Sequence, residues 1–581
     1  MVTLVVQLHD RLTRSGYVVF LTLLGACLNI GAQGFSYPLG GDYDFDLPLL
    51  NWIRNPALYP GDPIREAFAR FPTLFWPVVA ALSTWFSTEH VLFTFFVLTK
   101  MCFFLAVGGF VAATVREKWL AGCIVAILAV SLTLNTLTPF GASVSLSRVQ
   151  THQPLAIAVL LLAGVLLVLQ RWRSAVILAA LTIYIDAVPF FHAACAFAIF
   201  ALIAWRKQLR RIGVAACLGL VICVPYLLTS EKALRVSFPR DYLQALLLIF
   251  PFHFTIRWTP VSSLLRGATL VAVMGCMCYV ARKAKLNTQT ALETLLFAYL
   301  GVVLLGILLG AFYLTPTVAR VSLPRADSFF VMYALLLIQV YGANLLTQEK
   351  RDAPPTARLL GVLAMVLPLS IRLVSPLFFL TFVFWTDPRK HVEGAFQKLP
   401  QQYLRWLSAV SMPRVASILC SAGVILILFH QVRSPARLWG LVLLPTSQEQ
   451  SCYELQEWAH RRTPVEARFL VPPIGCGFRS ISERSSWGEW KDGLAAWHYP
   501  PFADVFLQRV SELGNLPGAR RRDQDDLEAL MERSYKGESW NSLRMIAQEN
   551  KLDYVIQFAD IEYPAEPVFR NNLYAVYSVG R

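Results

Sequence analysis

GGDYDFDLPLLNWIRNPALYPGDP, Gly40 to Pro63, follows the first apolar segment of the chain and precedes an apolar-rich helix. It sets four carboxylates, Asp42, Asp44, Asp46 and Asp62, among aromatics and prolines. The residues around it, up to position 445, read mostly as membrane helix, so this is an acidic loop beside a bilayer. Such a loop binds a cation, takes a proton from a substrate, or is simply solvated. Asp42, Asp44 and Asp46 alternate, and on an extended strand a period of two would put all three on one side. Three carboxylates together suit Mg or Mn, which prefer oxygen ligands. One of them alone suits a general base.

Composition supports the membrane setting. Of 581 residues, 56% are hydrophobic and only 15% charged, against about 25% in a soluble domain. Long apolar runs recur, and a bilayer core needs about 20 apolar residues per helix. The net charge of +15 does not point to nucleic acid, because Lys and Arg sit mainly in short loops between apolar runs. The apolar run from Gly16 to Gln33 lacks a clear small-residue cleavage site and reads as a retained first helix.

About thirteen membrane segments are expected, near 16–34, 90–113, 119–137, 152–170, 174–186, 188–205, 212–229, 266–281, 291–313, 328–346, 357–371, 374–386 and 415–432. Arg11 and Arg14 precede the first, and every second loop is then basic, as with Arg116 and Lys118 or Arg206, Lys207 and Arg210. That alternation predicts a cytoplasmic N-terminus and an external C-terminus. The external side then carries the loop 35–89. Within it the sequence predicts one surface helix from Asp62 to Phe86, with Asp62 as N-cap and Pro63 at the first helical position. Residues 1–445 form the expected bundle, and 446–581 a small external α/β domain. In that tail, helices are expected over Ser451–Arg462, Asp523–Arg533 and Ser539–Asn550, and strands over Arg468–Val471, Tyr554–Phe558 and Leu573–Val579.

Further candidates sit at the external ends of segments. Arg148 and His152 border the fourth. Asp186 and His192, in YIDAVPFFHAA, lie between two apolar runs, where an ionisable pair marks a site or a tight external turn. His253 and Arg257, in FPFHFTIRWTP, suit a lipid phosphate or an interfacial aromatic belt. Arg320 and Arg325 precede the tenth segment, and external arginines call for a partner, either a phosphate or Asp327. Arg54 suits a phosphate or a pairing with Asp62. In the tail, Arg479, Arg484 and Lys491 cluster with Trp487, Trp490 and Trp497, as a patch that binds a glycan or an anionic lipid or as the surface of a small domain. Cys452 and Cys476 would be the pair in an oxidising location, so a disulfide is expected as an option. Absence of GxSxG, HExxH and Walker loops argues against a serine hydrolase of the α/β type, a zincin or an ATP-driven pump.

An acidic first external loop with a surface helix, many membrane helices and an external α/β tail resembles the GT-C superfamily of integral-membrane glycosyltransferases. The stretches DLPLLNWIRNPALYPGDP, TPVEARFLVPP, GFRSISERSSWGEWKD, LDYVIQF and NNLYAVYSV are similar to a bacterial multipass group related to it. The resemblance implies a mainly α, GT-C-like polytopic bundle in the inner membrane with a periplasmic C-terminal domain. It also implies transfer of a sugar from a polyprenyl-phosphate-linked donor to an external acceptor. Carried over, the base or metal-linked role falls on Asp44 or Asp46, then Asp42. Arg325, Arg320, Arg54, His253 and Arg257 are candidates for the donor phosphate, and Asp186, His192 and Arg148 for the cavity. The pattern lacks an adjacent Asp-Glu or a Glu-x-Asp pair. Two other readings are a lipid-linked glycan transporter or flippase, which would string ionisable groups through the bundle, and a non-catalytic assembly protein.

Overall fold

A computed structural model describes residues 2–38, 42–131, 134, 138–140, 147–229, 237–254, 259–286, 289–348, 355–386, 446–475, 477–514 and 524–580, with 418, 421–422 and 424–425 between them. The chain is mainly α-helical. Among the described residues, seven helices are long and apolar enough to cross a membrane. They fall within Ser15–Gln33, Thr88–Thr114, Ala187–Ala204, Leu209–Thr229, Val261–Lys283, Thr290–Phe312 and Pro316–Thr347. Shorter apolar helices, including Lys118–Ala129 and His152–Val168, lie between them. Apart from the last expected segment, 415–432, which falls almost wholly outside the described residues, each expected apolar run coincides with a helix.

Burial sorts the helices. The span Pro316–Thr347 is 94% buried and that of Leu209–Thr229 only 17%. The first is therefore the axis of the bundle and the second presents apolar side chains outward, as a lipid-facing helix does. Asp327, at the start of that axis, is fully buried and accepts from Thr138 Oγ1 and the Phe140 N–H, both at 2.7 Å. Two ionisable side chains inside the bundle are also satisfied locally. Lys100 donates to Gln33 Oε1 and the Ser147 carbonyl, and Glu293 accepts from Arg282 and Tyr341.

The first loop folds differently from its expectation. The predicted helix 62–86 is two short helices, Ile64–Phe68 and Phe75–Leu82, interrupted at the segment that holds Pro72. Proline offers no N–H and clashes with the preceding turn, so a continuous helix through it is disfavoured. Pro63, not Asp62, occupies the N-cap position, although Asp62 Oδ1 still accepts from the Ile64 N–H.

The tail forms a five-stranded sheet, outside the core bundle, in the order β2-β1-β3-β5-β4. The strands are β1 Arg468–Leu470, β2 Ser485–Trp487, β3 Tyr554–Phe558, β4 Phe569–Arg570 and β5 Tyr574–Ser578. β1 pairs parallel with β2 and β3, and β5 pairs antiparallel with β3 and β4. Ser447–Arg462 opens the tail with a capping box in which Thr446 and Glu449 satisfy each other's backbone N–H groups. The short β2 and the helix Phe502–Gly514 were not expected from the sequence.

Candidate functional site

The acidic stretch is a helix, Tyr43–Arg54, not a strand. Asp42 precedes it, with its carbonyl accepting from the N–H groups of Phe45 and Asp46. Asp44 and Asp46 occupy the first turn, where carboxylates favour the positive end of the helix dipole, and Arg54 the last. Asn55-Pro56 then ends it, since a residue before proline leaves the helical region. This overturns the expected grouping of the three carboxylates. At about 3.6 residues per turn, Asp42 and Asp46 share a face, while Asp44 points about 200° away from Asp46. Asp44 faces the tail, and a Cβ on Gly477 would lie 2.4 Å from its Oδ1. Asp46 points inward and is 3% exposed.

Asp46 meets His152, the first residue of the helix His152–Val168. Asp46 Oδ2 lies 3.9 Å from His152 Nδ1, and His152 Nε2 lies 3.8 Å from Asp186 Oδ2. Neither Asp46 Oδ2 nor His152 Nδ1 has a hydrogen-bond partner among the described residues. The gaps exceed direct hydrogen bonds and match the spacing that a bridging polar group fills. Asp186 caps the helix Ala187–Ala204, its Oδ1 accepting from the Val188 N–H at 2.9 Å. Burial holds the Asp46 carboxyl well above the usual carboxylate range; Asp42 and Asp186 push the same way, and Lys491 opposes them. Arg325, on the turn Leu323–Ala326, is within electrostatic range of Asp186, Asp42 and His152. The structure therefore brings Asp46, Asp42, Asp186 and Arg325 to one place, with His152 between the carboxylates.

The tail closes this place from outside. The turn Trp490–Gly493 packs against the helix Tyr43–Arg54, and Leu494–His498 against Ile64–Phe68. The His498 ring lies 4.1 Å from Phe71, whose own ring is 5.3 Å from His152. Burial, with His152 and Arg320 nearby, lowers His498 to about 3, so its imidazole stays neutral. The Arg325 guanidinium lies 5.9 Å from the Trp497 ring centroid. His253 stacks on Phe250 at 5.1 Å and sits 6.3 Å from the same tryptophan. Arg320 lies 5.9 Å from Phe238.

Behind the site is a buried charge cluster that joins loop and tail. Arg479 Nε donates to Asp62 Oδ2 at 2.9 Å, Nη1 to Glu489 and Asp492 at 2.6 and 2.5 Å, and Nη2 to the Ser486 carbonyl at 2.7 Å. Arg509 pairs with Asp492 at 3.1 Å and Asp62 at 3.6 Å, and covers the Trp487 ring at 4.2 Å. Burial alone would raise Asp62, but the two arginines outweigh it and hold the carboxyl below its ordinary value. Burial prevails for Glu489, which rises to about 7, and for Asp492. Neighbouring contacts extend the seam. Ser480 Oγ donates to the Tyr43 carbonyl, Asn51 to the Ser480 carbonyl, and the Tyr59 hydroxyl to the Arg479 carbonyl. Arg479 and Trp490 are thus neither a glycan-binding patch nor a domain surface; both are buried. Arg484 is also buried, donating to the His460 and Thr463 carbonyls.

Other predicted residues stand apart. Arg54 is exposed at the far end of its helix, 3.5 Å from Thr88 Oγ1, and Arg148 is exposed. His192 is buried within hydrogen-bond distance of the Val321 carbonyl, 2.8 Å from its Nε2, which is the structural role of the two foreseen for it. Arg257 lies outside the described residues, as does Cys476. Cys452 is disulfide-bonded and buried beside the Tyr574 hydroxyl. Asp44 and Asp46 diverge, so the pair does not fit a shared Mg or Mn ion. Among the described residues no group of three or more His, Cys, Asp or Glu is placed to hold a metal. The sequence reading named His152, Lys491 and Trp497 without linking them to the acidic helix, and it left out His498. WKDGLAAWH was visible as a cation–aromatic run, but nothing local says that it turns inward.

A family described as a domain of unknown function (DUF6798) matches residues 450–498. No curated protein matches the chain. The crystal structure of ArnT from Cupriavidus metallidurans in the apo state is similar over 97% of this chain and 98% of that one, with 10% identity and a TM-score of 0.41. A likeness at that level carries no residue role and no chemistry across.

Proposed function

We propose that the protein is a membrane glycosyltransferase of GT-C type that works where the first loop, the bundle ends and the tail meet. Asp46 is the base. It takes the proton of an acceptor hydroxyl as that oxygen bonds to the sugar's anomeric carbon. The bond from that carbon to the donor's phosphate oxygen breaks, and a polyprenyl phosphate leaves. Arg325, with Arg320 near the same Trp497–His498 segment, meets the phosphate's charge. A base with a raised pKa suits proton abstraction near neutrality. The steps use the side chains of this chain and none runs through a metal.

The observation that carries the reading is the pair of buried, unpartnered atoms Asp46 Oδ2 and His152 Nδ1, 3.9 Å apart and set among Asp186, Asp42 and Arg325. A buried carboxylate oxygen without a hydrogen bond is costly and is retained where a ligand will use it. The resemblance of the first loop and tail to GT-C proteins supplies the donor class. The test is transfer of labelled sugar from polyprenyl-phosphate donors in membranes that contain the wild-type protein or Asp46→Asn. Loss of transfer in the variant supports the reading, and equal transfer in both removes it. A transporter is the weaker reading, because the buried Lys100 and Glu293 are each satisfied by fixed neighbours.

A further inference from the structure

We infer that the tail segment Trp490–His498 is the outer wall of the site, with Lys491 on the turn packed against the Asp46 helix and Trp497 lying against Arg325. The wall would hold a phosphate-linked sugar, with cations at the charged end and an aromatic face beside it. This rests on the reading that Asp46 and Arg325 form the site.

Three observations place the wall. The turn that carries Lys491 packs directly on the helix that carries Asp46. Asp492, the next residue, is held by both Arg479 and Arg509, so the turn has little freedom to move. The next residue, Gly493, leaves no room for a Cβ unless Ile249 shifts, since its Cδ1 would lie 1.6 Å away. Just before these anchors the lysine is half-buried, whereas its neighbours Trp490 and Asp492 are buried. Trp497 follows within the same short run, with Arg325 above its ring. The ionisable groups within electrostatic range of Asp46 are Asp42 and Tyr43 on its own loop, His152 and Asp186 on the bundle, and Lys491 on the tail. Lys491 is the cation among them that the tail supplies. It acts as a positioning residue that offsets the carboxylates around Asp46. The matched domain of unknown function ends at residue 498, so on this inference its last stretch is site lining.

Carbodiimides react with protonated carboxyl groups, so their pH-dependent addition to Asp46, read by mass spectrometry on the full-length membrane protein, measures its titration without any substrate. Lys491→Gln should raise the midpoint for Asp46 by about one unit, a tenfold change in proton affinity. Lys491→Arg should restore the wild-type midpoint, because it returns the charge. A structural role for the side chain would not produce that restoration. An unchanged midpoint in Lys491→Gln overturns the inference, as does a shift that arginine fails to reverse. Failure of wild-type Asp46 to react at any pH, while an exposed carboxylate such as Asp560 does, also overturns it, since a site open to a sugar admits a small carbodiimide. If Asp46→Asn leaves sugar transfer intact, the enzymatic reading falls while the labelling result stands on its own.

Discussion

At the residue scale, Asp46 differs from Asp44 in what surrounds it, not in what it is. Asp46→Asn should cost about 10²–10⁴-fold in transfer, the usual range for a lost general base. It should leave insertion unchanged and leave heat resistance equal or higher, because it removes a buried charge that lacks a hydrogen-bond partner on one oxygen. Asp44→Asn, facing Gly477, should change transfer by less than about tenfold; radiolabel transfer and detergent thermal shift on both variants decide it. The pH profile follows from the same carboxyl. A base works deprotonated, and burial raises Asp46, so transfer should rise with pH through a limb above the ordinary carboxylate value of about 4. A limb at the ordinary value would place the base elsewhere. The sequence named both aspartates but could not separate them. DYDFD has a period of two that fits a strand, and only the hydrophobic spacing of Tyr43, Leu47 and Leu50 on one face argues for the helix that divides them.

At the scale of elements, the seam between the loop helix and the tail depends on Arg479. Arg479→Met would leave Asp62, Glu489 and Asp492 buried with one arginine among them. Breaking a buried pair this way costs about 3–5 kcal/mol, so the tail should become sensitive to added protease while the bundle stays intact. Arg479→Lys should recover only part of the resistance, because an ammonium cannot reproduce the planar fork that reaches three carboxylates and a carbonyl. The seam also has a pH optimum. Glu489, near 7 when docked and about 4.5 when exposed, holds more proton in the docked state, so docking weakens as pH rises across that window. Asp492 acts in the same direction, and Asp62, held low, acts in the opposite one at the acid end. Protease resistance of the tail should therefore be greater near pH ~5.5 than near pH ~8. None of this was legible in the sequence. Arg479 and Asp62 are 417 positions apart, and each has a plausible local reading, as a surface cation and as a helix cap. What was legible was set by the solvent. A bilayer demands long apolar runs, and those runs mark the helices directly.

At the scale of the molecule, the basic loops predict which side the site faces. A periplasm-dependent reporter fused just before Thr446 should be active and a cytoplasm-dependent one silent. The opposite result would put Asp46 and Arg325 on the side where the proposed donor is not used. Of the basic loops, the one that holds Lys118 lies beside Tyr17, at the end of the first apolar span away from the acidic stretch. The two arginines that the loop-charge reading would put outside, Arg320 and Arg325, are near the tail segment Trp497–His498. In this protein an exception to the loop-charge rule marked a candidate site more reliably than a motif did.

The seam between residues 62 and 479 also has a consequence for biosynthesis. A ribosome makes the acidic helix early and the wall that covers it near the end, after the bundle has been threaded into the bilayer. Through that interval Asp46 and Asp62 have no tail to face, and Asp62 has no guanidinium. On the proposed reading the growing chain stays inert until one late step, when Arg479 in the tail comes back to Asp62 in the first loop.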